Sequence, residues 1–182
     1  MKRLIKLKHW QIFALLCTPY IVSIIFWQEN FSIGNITALE ISVFAGILSL
    51  ILFFSWILSI GLFLNSIPDN PHRFKKWLLI ISILFCLIGY SDLNMQRLTL
   101  AGGNTPNPLS AIMTPLVFFG IFYAFYNVPK SLKSIEFDRK AKFPEWIIDA
   151  LLLFIFPIGI WIIQPRLNKI YAVNEMIENE KK

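Results

Sequence analysis

WIIDALLLFIFPIGIWII, the run from Trp146 to Ile163, decides how this chain is built. As one straight helix its 18 residues would be about 27 Å long, close to the roughly 30 Å hydrocarbon core of a bilayer. Its twelve Leu, Ile and Phe residues favour insertion by at most about 4–7 kcal/mol, against about 2.5–3.5 kcal/mol for an aspartate at mid-helix. Asp149 lies near one end, where the cost is lower, so the run is expected to enter the membrane.

It can enter in two ways. A full crossing makes it the last of five hydrophobic helices. Alternatively the chain turns back at Pro157-Ile158-Gly159, which gives four spans plus a re-entrant or interfacial segment. The crossing is the expected form, because backbone that turns at membrane depth needs protein or water to satisfy it. Its drawback is charge. Arg166, Lys169, Lys181 and Lys182 would then lie outside with Arg97, against the excess of Lys and Arg usual in cytoplasmic loops.

Upstream of this run the pattern repeats. Apolar segments are read at 10–27, 41–64, 77–90 and 109–128, with 146–163 the fifth and 164–182 a polar tail with near-helical apolar spacing. Together they make a single polytopic membrane domain of the all-α class. Lys2, Arg3, Lys6 and Lys8 precede the first segment without a small-residue cleavage site after it, as in an uncleaved signal anchor with its N-terminus inside. Trp10 and Trp27 mark its two interfaces. Gln28 to Glu40 and Leu98 to Pro108 suit the outer side. Asn65 to Lys76 and Pro129 to Glu145, which carry eight of the basic residues, suit the cytoplasm. The third segment is the shortest. It spans if Lys75 and Lys76 snorkel.

Composition agrees. Of 182 residues, 56% are hydrophobic and only 15% charged, an excess that a soluble domain of this size could not hide. The formal charge of +6 is accounted for by membrane orientation, so nucleic acid is not expected as a partner. The lipid bilayer is the expected partner, with other membrane proteins as further candidates. Cys17 and Cys86 lie apart inside apolar segments, and His9 and His72 are scattered, so neither a disulfide framework nor a metal site is expected. No cofactor is expected either, since no phosphate-cradling loop or axial His accompanies the aromatic residues.

The residues from Lys130 to Tyr171, about a quarter of the chain, resemble the C-terminal part of an uncharacterised family of small multi-pass bacterial membrane proteins. FPIGIWIIQPRLNK, Phe156 to Lys169, is the most specific element. The resemblance implies a bacterial cytoplasmic (inner) membrane and transfers no activity.

Four positions are candidates for function: Asp149, Pro157, Gly159 and Arg166. An ionisable residue inside an apolar segment is a functional hypothesis by default. Asp149 can be interfacial, a hydrogen-bond partner of neighbouring helices, or a proton or cation site. Ser42, Ala45, Gly46 and Ser49 share one helix face, a spacing that lets helices approach closely. No nucleophile–base pair or paired carboxylates stand in an apolar segment, so no catalytic residue is assigned and an enzyme is not the expected class. The expected function is a non-enzymatic membrane subunit, accessory factor or scaffold. The alternative is a small transporter or channel with Asp149 in a polar path that would also draw on Ser42, Ser49, Ser55, Ser59 and Thr114.

Overall fold

A backbone flanked by apolar side chains has no hydrogen-bond partner but itself, and it coils. The computed structural model describes residues 2–33, 36–101 and 109–180, and among these every regular element is helical. They are α1 (Lys2–Lys6), α2 (His9–Ile33), α3 (Ile36–Ser66), α4 (Lys76–Ala101), α5 (Leu109–Glu136), α6 (Phe143–Phe154) and α7 (Phe156–Glu180). Residues 102–108, most of the turn-rich outer loop read from the sequence, lie outside the described residues.

Helices α2 to α5 run up and down around α3, which packs on α2, α4 and α5. Small residues set the closest approaches. Ser23 donates its hydroxyl to the Ser42 carbonyl at 2.8 Å, and Ser42 donates to the Ser23 carbonyl at 2.7 Å. At Gly120 an added Cβ would stand 2.4 Å from the Ser82 carbonyl oxygen, so the backbones of α4 and α5 come together there. The core between them is Trp56, Ile57, Ile60 and Leu64 of α3 against Leu79, Ile83, Val128 and Leu132. The helices exceed the apolar segments. α5 passes through Pro129 to Glu136, and α7 carries the tail as helix to Glu180.

Among the described residues two stretches are long and apolar enough to cross a membrane, His9–Glu29 and Ile36–Ser66, and Lys76–Tyr90 is a shorter apolar helix. Large apolar side chains stand exposed around the bundle, among them Ile25, Phe44, Phe122 and Phe154.

The single helix expected across Trp146–Ile163 is instead two. α6 ends at Phe154, and Ile155 (φ −90°, ψ 61°) breaks the path before α7 begins. A straight helix would hold Asp149 and Arg166 about 25 Å apart. Their side chains meet at 2.7 Å, so the second arm returns along the first. The turn satisfies its own backbone. The Ile155 N–H donates to Leu151, the Ile155 carbonyl accepts from Ile158 and Gly159 at 3.1 and 3.0 Å, and Pro157 has no N–H to satisfy. The protein support that such a turn requires is therefore local. The tip reaches the middle of the bundle, where Phe156 packs on Tyr20 and Phe53 and Phe154 on Phe125.

The returning arm then runs beside the start of the chain. Trp161 stacks on His9 and Phe13, Tyr171 on Phe63, and Lys6 pairs with Glu175 at 3.2 Å. Both ends of the described chain thus lie at the same end of the bundle.

Gly159 is the tightest point of the hairpin. A Cβ there would stand 1.9 Å from the Leu152 carbonyl oxygen and 2.6 Å from its carbon. Gly159→Ala is expected to cost at least the upper part of the roughly 1–3 kcal/mol typical of overpacking, because backbone cannot step aside as a side chain can. Thermal melting of the detergent-purified protein measures it, and an unchanged midpoint would show that the arms do not touch there.

Candidate functional site

A guanidinium has five N–H donors in a fixed fork and suits two carboxylates at once. Arg166, in the middle of α7, is used in this way. Its Nη1 and Nη2 donate to the two oxygens of Asp149 at 2.7 and 2.8 Å. Its Nε and Nη2 donate to the two oxygens of Glu136 at 2.5 and 2.7 Å. Lys133, one turn before Glu136 on α5, donates to Glu136 at 3.0 Å and stands 3.9 Å from Asp149. Two cations and two anions from three helices form one closed group.

Local sequence places each of them. α6 starts at the polar end of the bundle because Pro144 fits its first turn and the Glu145 carboxylate accepts from the Lys142 N–H at 2.6 Å. Trp146, Asp149, Ala150 and Leu153 then share its buried face. The reversal from α5 is a Schellman-type end. The Arg139 N–H reaches the Ser134 carbonyl at 3.1 Å, and Asp138 takes the left-handed conformation with φ 51°. This turn brings α6 back beside Glu136.

Asp149 is 2% exposed. It is buried within the protein, and both its oxygens are occupied by Arg166. Glu136 and Lys133 remain about a fifth exposed, and Glu136 and Arg166 border a groove of about 470 Å³ lined also by Ile67, Ile135, Lys169 and Ile170. Burial pushes the Glu136 carboxyl up, but the hydrogen bonds from Arg166 and Lys133 outweigh it and hold the carboxyl below the ordinary carboxylate range.

Of the four sequence candidates, Asp149 and Arg166 are brought together, while Pro157 and Gly159 stand apart at the tip and shape the turn. Three serines of the expected polar path are absorbed by backbone: Ser42 on Ser23, Ser49 on Leu16, Ser59 on Ser55. Sequence reasoning left Glu136 and Lys133 as ordinary loop residues. Their i, i+3 spacing on what proves to be the end of α5 was the available signal.

It also missed Gln164. This side chain is fully buried, accepts from the Trp56 Nε1–H at 2.9 Å, and donates to the carbonyls of Ile5 and Leu7 at 2.9 and 3.1 Å. It caps the loose carbonyls where α1 gives way to α2.

Such an arrangement can neutralise and fix charge. Neither carboxylate faces a nucleophile or a free base, and among the described residues no three His, Cys, Asp or Glu side chains gather as a metal site. No protein-family model, curated protein or solved structure matches the chain.

Removing one member of a buried ion pair leaves the other uncompensated and costs about 3–5 kcal/mol. Arg166→Met strands two carboxylates, so it is expected to lower the melting midpoint more than Asp149→Asn, after which Arg166 keeps Glu136. Equal effects would count against a shared guanidinium.

The sign of the pH effect follows from Glu136. Its pKa is lower folded than unfolded, so its contribution is complete above the ordinary carboxylate range and is lost as pH falls through the folded value. Melting midpoints below about pH 4 should drop less steeply in Glu136→Gln than in the unaltered protein.

Proposed function

We propose that the chain is a polytopic protein of a bacterial cytoplasmic membrane, in which α2 to α5 cross and the α6–α7 hairpin re-enters from the cytoplasmic side. Four crossings replace the five expected from hydropathy. What supports this reading is the Arg166 clamp, which holds the hairpin closed and ties its returning arm to the end of α5. The arm's far end also pairs with the N-terminal segment through Lys6 and Glu175.

Charge supports the same arrangement. With the hairpin re-entrant, the basic residues of the N-terminal segment, of 65–76, of 129–145 and of the tail share one side, and Arg97 stands on the other. That distribution follows the orienting rule and supports a cytoplasmic N-terminus and tail. The outer face of the hairpin suits hydrocarbon. Ile148, Leu151, Phe154, Ile155 and Ile158 are each more than half exposed.

Within this frame the chain acts as a non-enzymatic subunit or scaffold that binds other membrane proteins. The observation that carries this reading is again Asp149. The acid a transporter would need inside an apolar segment has both oxygens spent on an arginine, and the hydroxyls of Ser42, Ser49 and Ser59 are spent on backbone.

Two experiments test the proposal. Single cysteines at Glu40 and Val173 should be labelled by a membrane-impermeant reagent from opposite sides of sealed vesicles. Labelling from the same side would restore the fifth crossing. Extraction of the tagged protein in mild detergent should then yield a stoichiometric protein partner. A chain that emerges alone, and that carries ion or solute flux in liposomes, would overturn the subunit reading in favour of transport.

A further inference from the structure

Small residues on α3 were read above as a surface for close helix packing. Only part of that face is used so. Ser42 and Ser49 both reach α2, but between them Gly46 borders open space. A cavity of about 280 Å³ opens among α2 to α5 at the hairpin tip, walled in part by Phe53, Phe54, Phe125 and Phe156, with the largely exposed Phe154 also bordering it. A second cavity of about 270 Å³ adjoins it, sharing Tyr20, Ser23 and Tyr90 and ending at Trp27, Ser42 and Val43. A side chain added at Gly46 would enter this space, with the Ser23 hydroxyl 3.1 Å and the Tyr90 hydroxyl 3.5 Å from its Cβ.

Polarity changes along the slot. The end at the hairpin tip is formed mainly by rings, whereas the hydroxyls of Ser23, Ser42 and Tyr90 and the indole of Trp27 gather at the other end. That end is two residues from Glu29 and Glu40, at the α2–α3 turn, the outer side in the reading above. A chain entering from the outer leaflet would keep its polar end near the surface and its hydrocarbon among the rings. Apolar cavities of about 150 Å³ stay dry and already take up a small hydrocarbon. An unfilled cavity of this size would also cost stability in proportion to its volume.

We infer that the slot between α2, α3 and the hairpin tip is a binding site for one linear hydrocarbon chain, the acyl chain of an outer-leaflet phospholipid. The inference rests on the membrane reading, since the mouth must face lipid.

The test uses the full chain reconstituted in phosphatidylcholine vesicles doped with a phosphatidylcholine that carries a diazirine at the end of one acyl chain. After photolysis, the labelled residues are mapped by mass spectrometry. Label is expected to concentrate on Phe53, Phe54, Phe125 or Phe156. In Gly46→Leu it should be lost from these positions while persisting on the bilayer-facing Phe122 and Ile148. Should Gly46→Leu fail to fold, the smaller Gly46→Ala is expected to reduce the same labels, and the unaltered protein decides by itself. Label confined to Phe122 and Ile148, or slot label unchanged by Gly46→Leu, would overturn the site. Alkaline carbonate extraction of native membranes separates the two possible failures. A chain released by carbonate overturns the membrane reading and the site together, whereas a retained chain with an unlabelled slot overturns the site alone.

Discussion

Arg166 ties three helices together at one point. Asp149 belongs to an apolar helix that could continue straight, and Glu136 ends a helix that comes from the other direction. Sharing one guanidinium fixes the separation of α5, α6 and α7 at the length of two hydrogen bonds. Charges buried in this way add little net stability over a well-packed apolar core, because desolvation consumes most of the attraction. Their effect is on choice: any arrangement that separates the members leaves an uncompensated charge in a poor solvent. Lys133 brings the group to electrical balance, so the closed form carries no net formal charge.

A second polar contact serves the other arm. Gln164 lies two residues before Arg166 and faces away from the ion group, towards Trp56 and the carbonyls of Ile5 and Leu7. Between them these neighbouring side chains attach α7 to the front and the back of the bundle. The loop between α3 and α4 is tied down by similar means. The Asn70 amide donates to Leu64 and to the Ser131 hydroxyl, and Asn65 exchanges two hydrogen bonds with the Phe74 backbone. In a chain so rich in apolar side chains, interior packing is permissive, and the few amides and ions set the register.

Helical class and the position of most helices were legible in the sequence, because uninterrupted apolar length is a local property. The fate of Trp146–Ile163 was not. The hydrophobicity of that run is identical whether it crosses or turns, so insertion energies could not separate the two outcomes. The signals that could were a glycine two residues after a proline and a surplus of basic charge beyond it. Both were visible and both were outweighed by the supposed cost of turning the backbone, which hydrogen bonds around Ile155 meet locally. Asp149 was identified as the residue to watch, and Arg166 was named beside it. Their pairing was hidden because it depends on the fold-back, and so was the part of Glu136, which lies past a proline that normally ends a helix. Gln164 carries no sequence signal at all, since a lone amide near an interface is unexceptional.

In the proposed arrangement the hairpin stops halfway, and the two leaflets do not share the protein equally. Near the outer surface four helices displace lipid, and near the cytoplasmic surface six do. Each helix is about 10 Å across with its side chains, so the protein is broader by two helix sections on one side. Lipids of the cytoplasmic leaflet are pushed apart where those of the outer leaflet are not, and the mismatch is relieved where the membrane bends to expand its inner face. A wedge of this kind settles more readily in a patch that bulges towards the cytoplasm than in a flat one, and neighbouring copies would feel one another through the strain of the sheet between them.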